Sequence, residues 1–242
     1  MAFPPLRGPE QALGSEEDTL SEIGLYEAMS TLRAVRRLRP EPVPEDVLRR
    51  VLEAASWAPT GGNVQPFRVV VVRDRDKVAR LGRLYDARWR PYVKERIAAM
   101  AGAPDEVLEK NRKMFDAGNY LADHFHEVPA LLLFCFNPKL MAITDARLDR
   151  ISVVGGGSVY TAVQNTLLAC RAEGVGCVLT TLLCMDEAEI KELLEIPDPW
   201  GTAAAIPIGY PVLAGHGPIS RRPVSKLAFG DTWGEALFEE SN

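Results

Sequence analysis

Arg33-Ala-Val-Arg-Arg-Leu-Arg-Pro-Glu-Pro-Val-Pro44 begins the stretch that decides the fold. It runs on through an apolar-faced helix to Ala58-Pro-Thr-Gly-Gly-Asn-Val-Gln-Pro-Phe67 and ends in Arg68-Val-Val-Val-Val72. A basic segment, a helix, a Gly-rich turn carrying amide side chains and a buried strand follow one another. Pro44 is a favoured first-turn residue, and Glu45 and Asp46 suit the positive end of a helix dipole. Val47, Leu48, Val51, Leu52 and Ala55 give that helix one buried face, and it must stop before Pro59. Thr60 to Asn63 is then a turn with bare backbone amides. Val69 to Val72, apolar on both faces, reads as a central strand.

Outward from this stretch, residues 1–18 are rich in Pro, Gly and Glu without a period, which predicts a loosely attached arm. A first helix is expected from near Ser21, with Leu25, Ala28, Met29 and Leu32 as its apolar stripe. Asp76 to Leu84 reads as a short helix. Residues 85–126 mix aromatic and charged residues (Tyr85, Trp89, Tyr92, Phe115, Tyr120, Phe125) with no clear period, the pattern of a lid insertion or a surface helical pair. Pro129 to Phe136 predicts a second buried strand, Ile151 to Ala172 a long helix, Cys177 to Leu179 a third strand, and Ala203 to Ile208 a fourth. Asp186 to Glu189 looks like a capping box before a helix ending near Leu194. Strands alternating with helices, with no repeat and no clean linker, give one α/β or α+β domain over residues 19–242.

Composition narrows the function. The 242 residues are 47% hydrophobic and 25% charged, ordinary for a globular protein. A formal net charge of −5 argues against nucleic acid as a partner. The chain shows no membrane-length apolar run and no leader pattern at its start, so a cytoplasmic enzyme is expected. Cys135, Cys170, Cys177 and Cys184 lack metal-ligand spacing, which predicts inert buried thiols and no metal site. Thr60 to Asn63 follows a helix and precedes a strand, the reverse of a dinucleotide fingerprint, and Gly155-Gly-Gly157 lacks the required spacing; both argue against a Rossmann or P-loop site. Arg33 to Arg39 and Arg221-Arg222 can converge on one phosphate, since guanidinium binds phosphate through paired hydrogen bonds. No catalytic dyad or triad stands out, as expected when a cofactor supplies the chemistry. Each feature also has a plain structural explanation, the turn as a connector and the arginines as solvated charges.

The ordered set is more specific than its parts. Arg33, Arg36, Pro42-Val-Pro44, Ala58-Pro-Thr-Gly-Gly-Asn63, Gln65-Pro-Phe67, Gly174-Val-Gly176, Ile206-Pro-Ile-Gly-Tyr-Pro211 and Arg221-Arg-Pro223 together resemble the flavin-dependent nitroreductase family over residues 22–227. The resemblance implies an α+β fold with a central mixed sheet and an intertwined homodimer that holds FMN at the subunit interface. It assigns Arg33 and Arg221 to the FMN phosphate. It lays Pro59, Thr60, Gly61, Gly62 and Asn63 along the flavin, with Gln65 adjacent. It sets Leu179, Thr180 and Thr181 against the ring near its reactive nitrogen. This chain has Leu32-Arg33-Ala34 where the family has Arg-Arg-Ser, so one arginine and one hydroxyl are missing; Arg37 is the candidate substitute. The threonines resemble the iodotyrosine deiodinase branch, where a hydroxyl near that nitrogen favours one-electron steps. The lid lacks that branch's Glu, Tyr, Lys set. The activity implied is ping-pong reduction by NADPH or NADH of small flat aromatic acceptors such as nitroaromatics or quinones, sandwiched by Trp89 and Tyr92. The alternatives are a specialised enzyme of the same fold, a reductive dehalogenase or a flavin-consuming enzyme, or a flavin-binding protein with little reductase activity.

Overall fold

Four strands carry the core of the computed structural model, which describes residues 23–213 and 215–238. They are β1 (Phe67–Val72), β2 (Ala130–Phe136), β3 (Gly176–Cys177) and β4 (Gly201–Gly209), in the spatial order β1-β2-β4-β3. All ladders are antiparallel among the described residues, so the sheet of this chain is not the mixed one expected. The fold class is α+β as expected. Strand β2 pairs on both sides, and Leu131, Leu132, Leu133 and Phe134 are wholly buried. Each such side chain contributes about 1.5–3 kcal/mol of apolar burial. Strand β1 is an edge and not a central strand; Val69, Val70 and Val71 stay partly exposed. Four consecutive valines specify a strand but not the number of its neighbours.

Two apolar layers pack on the two faces of the sheet. On one lie helix α2 (Glu45–Ser56), through Val47, Leu48 and Val51, and helix α5 (Gly157–Ala172), through Ala162, Val163 and Cys170. On the other lie α3 (Arg75–Ala98), α4 (Asp105–His124) and α6 (Glu187–Leu194). The short α1 (Leu25–Thr31) precedes the basic segment. Its start near Ser21, and the arm before it, fall outside the described residues. Only Ala28 of the expected stripe is buried; Leu25 and Met29 are exposed.

The expected short helix at Asp76 is a 24-residue helix that continues through Pro91. It starts where the Asp74 carboxylate accepts the Lys77 N–H at 2.9 Å. With α4 it forms a helical hairpin, so the region with no readable period is two helices packed on each other. Their contact rests on Trp89, which is 6% exposed, lies against Gly118 and donates its indole N–H to Asn119 Oδ1 at 2.9 Å. Helix α5 begins at Gly157 and not at Ile151. Before it, the buried Asp145 carboxylate accepts bonds from Arg150, Ser152 and the Val153 N–H and holds the chain as a loop. The third strand stops at Cys177, and the sheet is rejoined only by the Thr180–Ala205 bridge. Asp186 makes no cap; its carboxylate instead takes the Arg88 guanidinium at 2.8 Å. Cys135, Cys170 and Cys177 are buried as expected, while Cys184 is partly exposed. Burial pushes the Cys135 thiol up to about 11. Among the described residues, no helix is long and apolar enough to cross a membrane.

Candidate functional site

The glycine turn is built by backbone conformations that few side chains tolerate. Gly62, Asn63 and Gln65 have φ of 59°, 54° and 48°. Three left-handed residues within four positions cost strain that the surroundings must offset. The offsets are visible. Thr60 Oγ1 accepts the Gln65 N–H at 3.1 Å, and Gln65 Nε2 donates to Asn63 Oδ1 at 3.2 Å. Ser158 Oγ accepts the Gly61 N–H at 3.0 Å, and Thr161 Oγ1 donates to the Pro59 carbonyl at 3.2 Å. The turn is therefore clamped to the first turns of α5. Beside it lies an open, mainly apolar groove of about 480 Å³ lined by Pro59, Val153, Gly156, Tyr160, Thr161 and Gln164. Trp57, Val64, Ile151 and Val153 stand exposed in this part of the chain.

The basic segment lies at the other end of α5. Arg171, in its last turn, donates to Thr31 Oγ1 at 2.8 Å. Val35 and Leu38 are buried and tie the segment to the sheet through the Val35 N–H to Cys177 carbonyl bond at 2.8 Å. Arg33 turns toward the tail, where its Nε donates to the Gly215 carbonyl at 2.8 Å. Among the described residues its terminal nitrogens meet no carboxylate. Arg37 goes elsewhere: its guanidinium lies 4.2 Å above the Tyr120 ring, which stacks on His124. Its guanidinium is thus engaged by an aromatic face of α4, and the substitution for the missing family arginine stays an expectation. Arg36 is half-buried near Tyr85 and Tyr92, and burial lowers its pKa from the ordinary arginine value. It has no carboxylate partner among the described residues. Sequence reading placed it in the cluster but gave it no role; its signal was an arginine flanked by the buried Val35 and Leu38.

Along the strand edge, Leu179 and Thr181 are exposed. Thr180 is nearly buried, with its hydroxyl oxygen accepting the Leu182 N–H at 3.3 Å. Arg221 is exposed and, among the described residues, bonds to the adjacent Ser220 carbonyl at 2.9 Å. Trp89 cannot sandwich a substrate, because its ring is a packing element inside the helical hairpin. Tyr92, 38% exposed and tilted against Trp89, remains available. A second groove, about 700 Å³, runs between α3 and α4. Its Arg90 is already paired with Asp86 and Asp123.

The donor set suits a ligand with a phosphate and a flat polar ring. Arg33 and Arg221, each without an acidic partner among the described residues, can each hold phosphate oxygens, and a glycine turn with amide side chains can lie along ring edges. Comparison with known proteins agrees. An NADH dehydrogenase of Thermus thermophilus is 31% identical over 221 residues, which are 87% of this chain and 98% of that protein. Rat iodotyrosine deiodinase 1 is 25% identical over 86% of this chain and 68% of its own length. A Desulfovibrio desulfuricans nitroreductase solved in complex with FMN superposes with a TM-score of 0.61 at 23% identity, over 88% of this chain and 99% of that one. Residues 31–210, from the basic segment through the end of β4, match the Nitroreductase family, and the chain belongs to it.

Proposed function

We propose that this protein is an FMN-dependent oxidoreductase that works as a homodimer, takes electrons from NADPH or NADH, and passes them to a small flat aromatic acceptor. The observation that carries this reading is the pair of uncompensated arginines, Arg33 and Arg221, in a chain of this family. When bound, FMN supplies the redox chemistry, accepting a hydride from the nicotinamide and giving electrons to the second substrate. The protein binds, orients and screens. Arg33 and Arg221 hold the phosphate. The backbone amides of Gly61 to Asn63 and the Gln65 side chain edge the ring, Leu179 and Thr181 line it, and Tyr92 meets the acceptor. Arg36 brings positive charge that is kept strong by partial burial.

Distance within one chain supports the homodimer. The glycine turn is bonded at Ser158 and the basic segment at Arg171, thirteen residues further along α5. At 1.5 Å per residue these anchors are about 20 Å apart. Antiparallel pairing of α5 with its copy sets the turn of one chain beside the basic segment of the other. The exposed apolar side chains on this flank, and those of the tail (Val224, Leu227, Trp233 and Phe238), are then covered by the second chain, giving the intertwined arrangement. The expected nitroaromatic or quinone substrates rest on the resemblance to the family and on Tyr92 as the exposed aromatic side chain of the hairpin. The hydroxyl of Thr181, exposed where that of Thr180 is not, favours a dehalogenating activity as the second reading.

The test is the visible spectrum of the purified protein, recorded anaerobically before and after NADPH and then NADH. Flavin absorbance that bleaches with either donor is the expected result. A colourless protein that cannot be reconstituted with FMN would sink the reading. In Arg221→Ala, FMN affinity should fall about tenfold or more, the loss of one charge-assisted phosphate contact.

A further inference from the structure

His216 is the one histidine that packs into the body of the fold at the basic segment. Its Nε2 lies 2.9 Å from the Val175 carbonyl, and because a carbonyl only accepts, this nitrogen carries a proton. In the neutral ring Nδ1 is then a bare lone pair. That atom is buried and has no hydrogen-bond partner. The residue cannot simply swing out. Its neighbours are fixed by the Arg33 to Gly215 bond on one side and the Gly217 N–H to Thr31 carbonyl bond, 2.9 Å, on the other.

We propose that His216 is a proton-linked positioning residue of the phosphate site: a phosphate monoester arriving at Arg33 draws a proton onto the His216 imidazole, and the charged ring then locks the tail onto the basic segment. The charges acting on the ring explain why anion and proton come together. Burial above all holds His216 of the free protein below the usual histidine range, and Arg171 and, less strongly, Arg33 add to this by opposing a third positive charge. The peptide groups of Arg33 and Val175 act the other way, favouring the charged ring. Glu27 reaches Arg171 at 3.7 Å and only partly offsets it. A dianion at Arg33 cancels the Arg33 share of the repulsion and adds a negative charge near the ring, which favours the charged imidazole together with the Val175 and Arg33 peptide groups. On protonation Nδ1 becomes an N–H donor, a form the Arg33 peptide group favours, and the ring no longer buries a bare lone pair. One proton is taken from solvent per phosphate bound, with no bond made or broken elsewhere. The inference deepens the FMN reading and rests on it for the identity of the ligand.

The experiment is calorimetric titration of the full chain with FMN and with riboflavin, in two buffers of different ionisation enthalpy, across pH 6 to 8. It is paired with NMR of the His216 ring nitrogens. Net of the protons that the FMN phosphate itself releases on binding as a dianion, FMN should bind with uptake of up to one proton, and His216→Gln should abolish that uptake. The ratio of wild-type to variant affinity should grow as pH falls, by at most about tenfold per pH unit. Riboflavin, lacking the phosphate, should show no difference between the two proteins. Equal proton uptake by wild type and variant, or a His216 ring that stays neutral in saturating FMN, overturns the proposal. Should the variant fail to fold, the NMR titration of the wild-type protein still decides. Failure to bind FMN at all would instead break the cofactor reading; inorganic phosphate that shifts the His216 resonances would then uphold the coupling by itself.

Discussion

Strands β2 and β4 and the flank of α5 beside the glycine turn are both apolar, yet only the first is finished within one chain. Leu131 to Phe134, Ile206 and Ile208 have no accessible surface, whereas Ile151 is 88% exposed and Val153 73%. The sheet is sealed because each face receives helices from the same chain. The α5 flank and the tail bring apolar side chains to a surface that no described residue covers. The difference separates what the protomer needs in order to fold from what it needs in order to act. The glycine turn lies on the unfinished side.

Breaking the finished side should cost most. Leu133→Ala removes a fully buried side chain from the doubly paired strand and should lower unfolding free energy by about 2–5 kcal/mol in urea titration. A loss below about 1 kcal/mol would mean the sheet is less tightly packed than drawn. Gly118→Ala sharpens the comparison within the helical hairpin. A Cβ there would sit 1.9 Å from the Trp89 ring, so the helices must part, at about 1–3 kcal/mol or more. Red-shifted tryptophan emission should accompany the loss.

The unfinished side should respond differently. Ile151→Asp should leave the circular dichroism spectrum intact while raising the dimer dissociation constant about tenfold or more by sedimentation. If the same substitution unfolds the protein instead, the two regions are not separable in this way. The smallest effect concerns Asp186, whose carboxyl Arg88 holds below the usual carboxylate range. A lowered folded-state pKa means that the contribution is present above the unfolded value and lost as pH falls through the folded one. The stability gap between wild type and Arg88→Gln should therefore be constant near pH 7 and shrink below about pH 4. A gap that persists under acid would show that Arg88 acts by packing alone.

The elements that the sequence makes legible are those whose signal is local. Pro44 with Glu45 and Asp46 marks the start of α2, the valine run marks β1, and the glycine pair with Asn63 marks a turn that the dihedral angles bear out. The long α3 was hidden because Pro91 reads as a breaker and because its buried residues answer to α4 and the sheet together. Trp89 looked like a substrate platform for the same reason: an aromatic residue in a segment without period carries no sign of which way it faces. His216 carried no motif at all, and its position beside Arg33 depends on the tail folding back so that Gly215, 182 positions further along the chain, meets Arg33.

Residue order by itself determined the family, through an ordered set of charged and glycine positions; local periodicity and turn stereochemistry narrowed the fold to α/β or α+β, and the resemblance to the family chose α+β. Tertiary structure alone decided which strand is an edge, that Arg37 lies on Tyr120 while Arg33 meets the tail, and that Trp89 is core. Those outcomes depend on contacts between residues far apart in the chain, where packing and desolvation outweigh anything a short window of sequence can express.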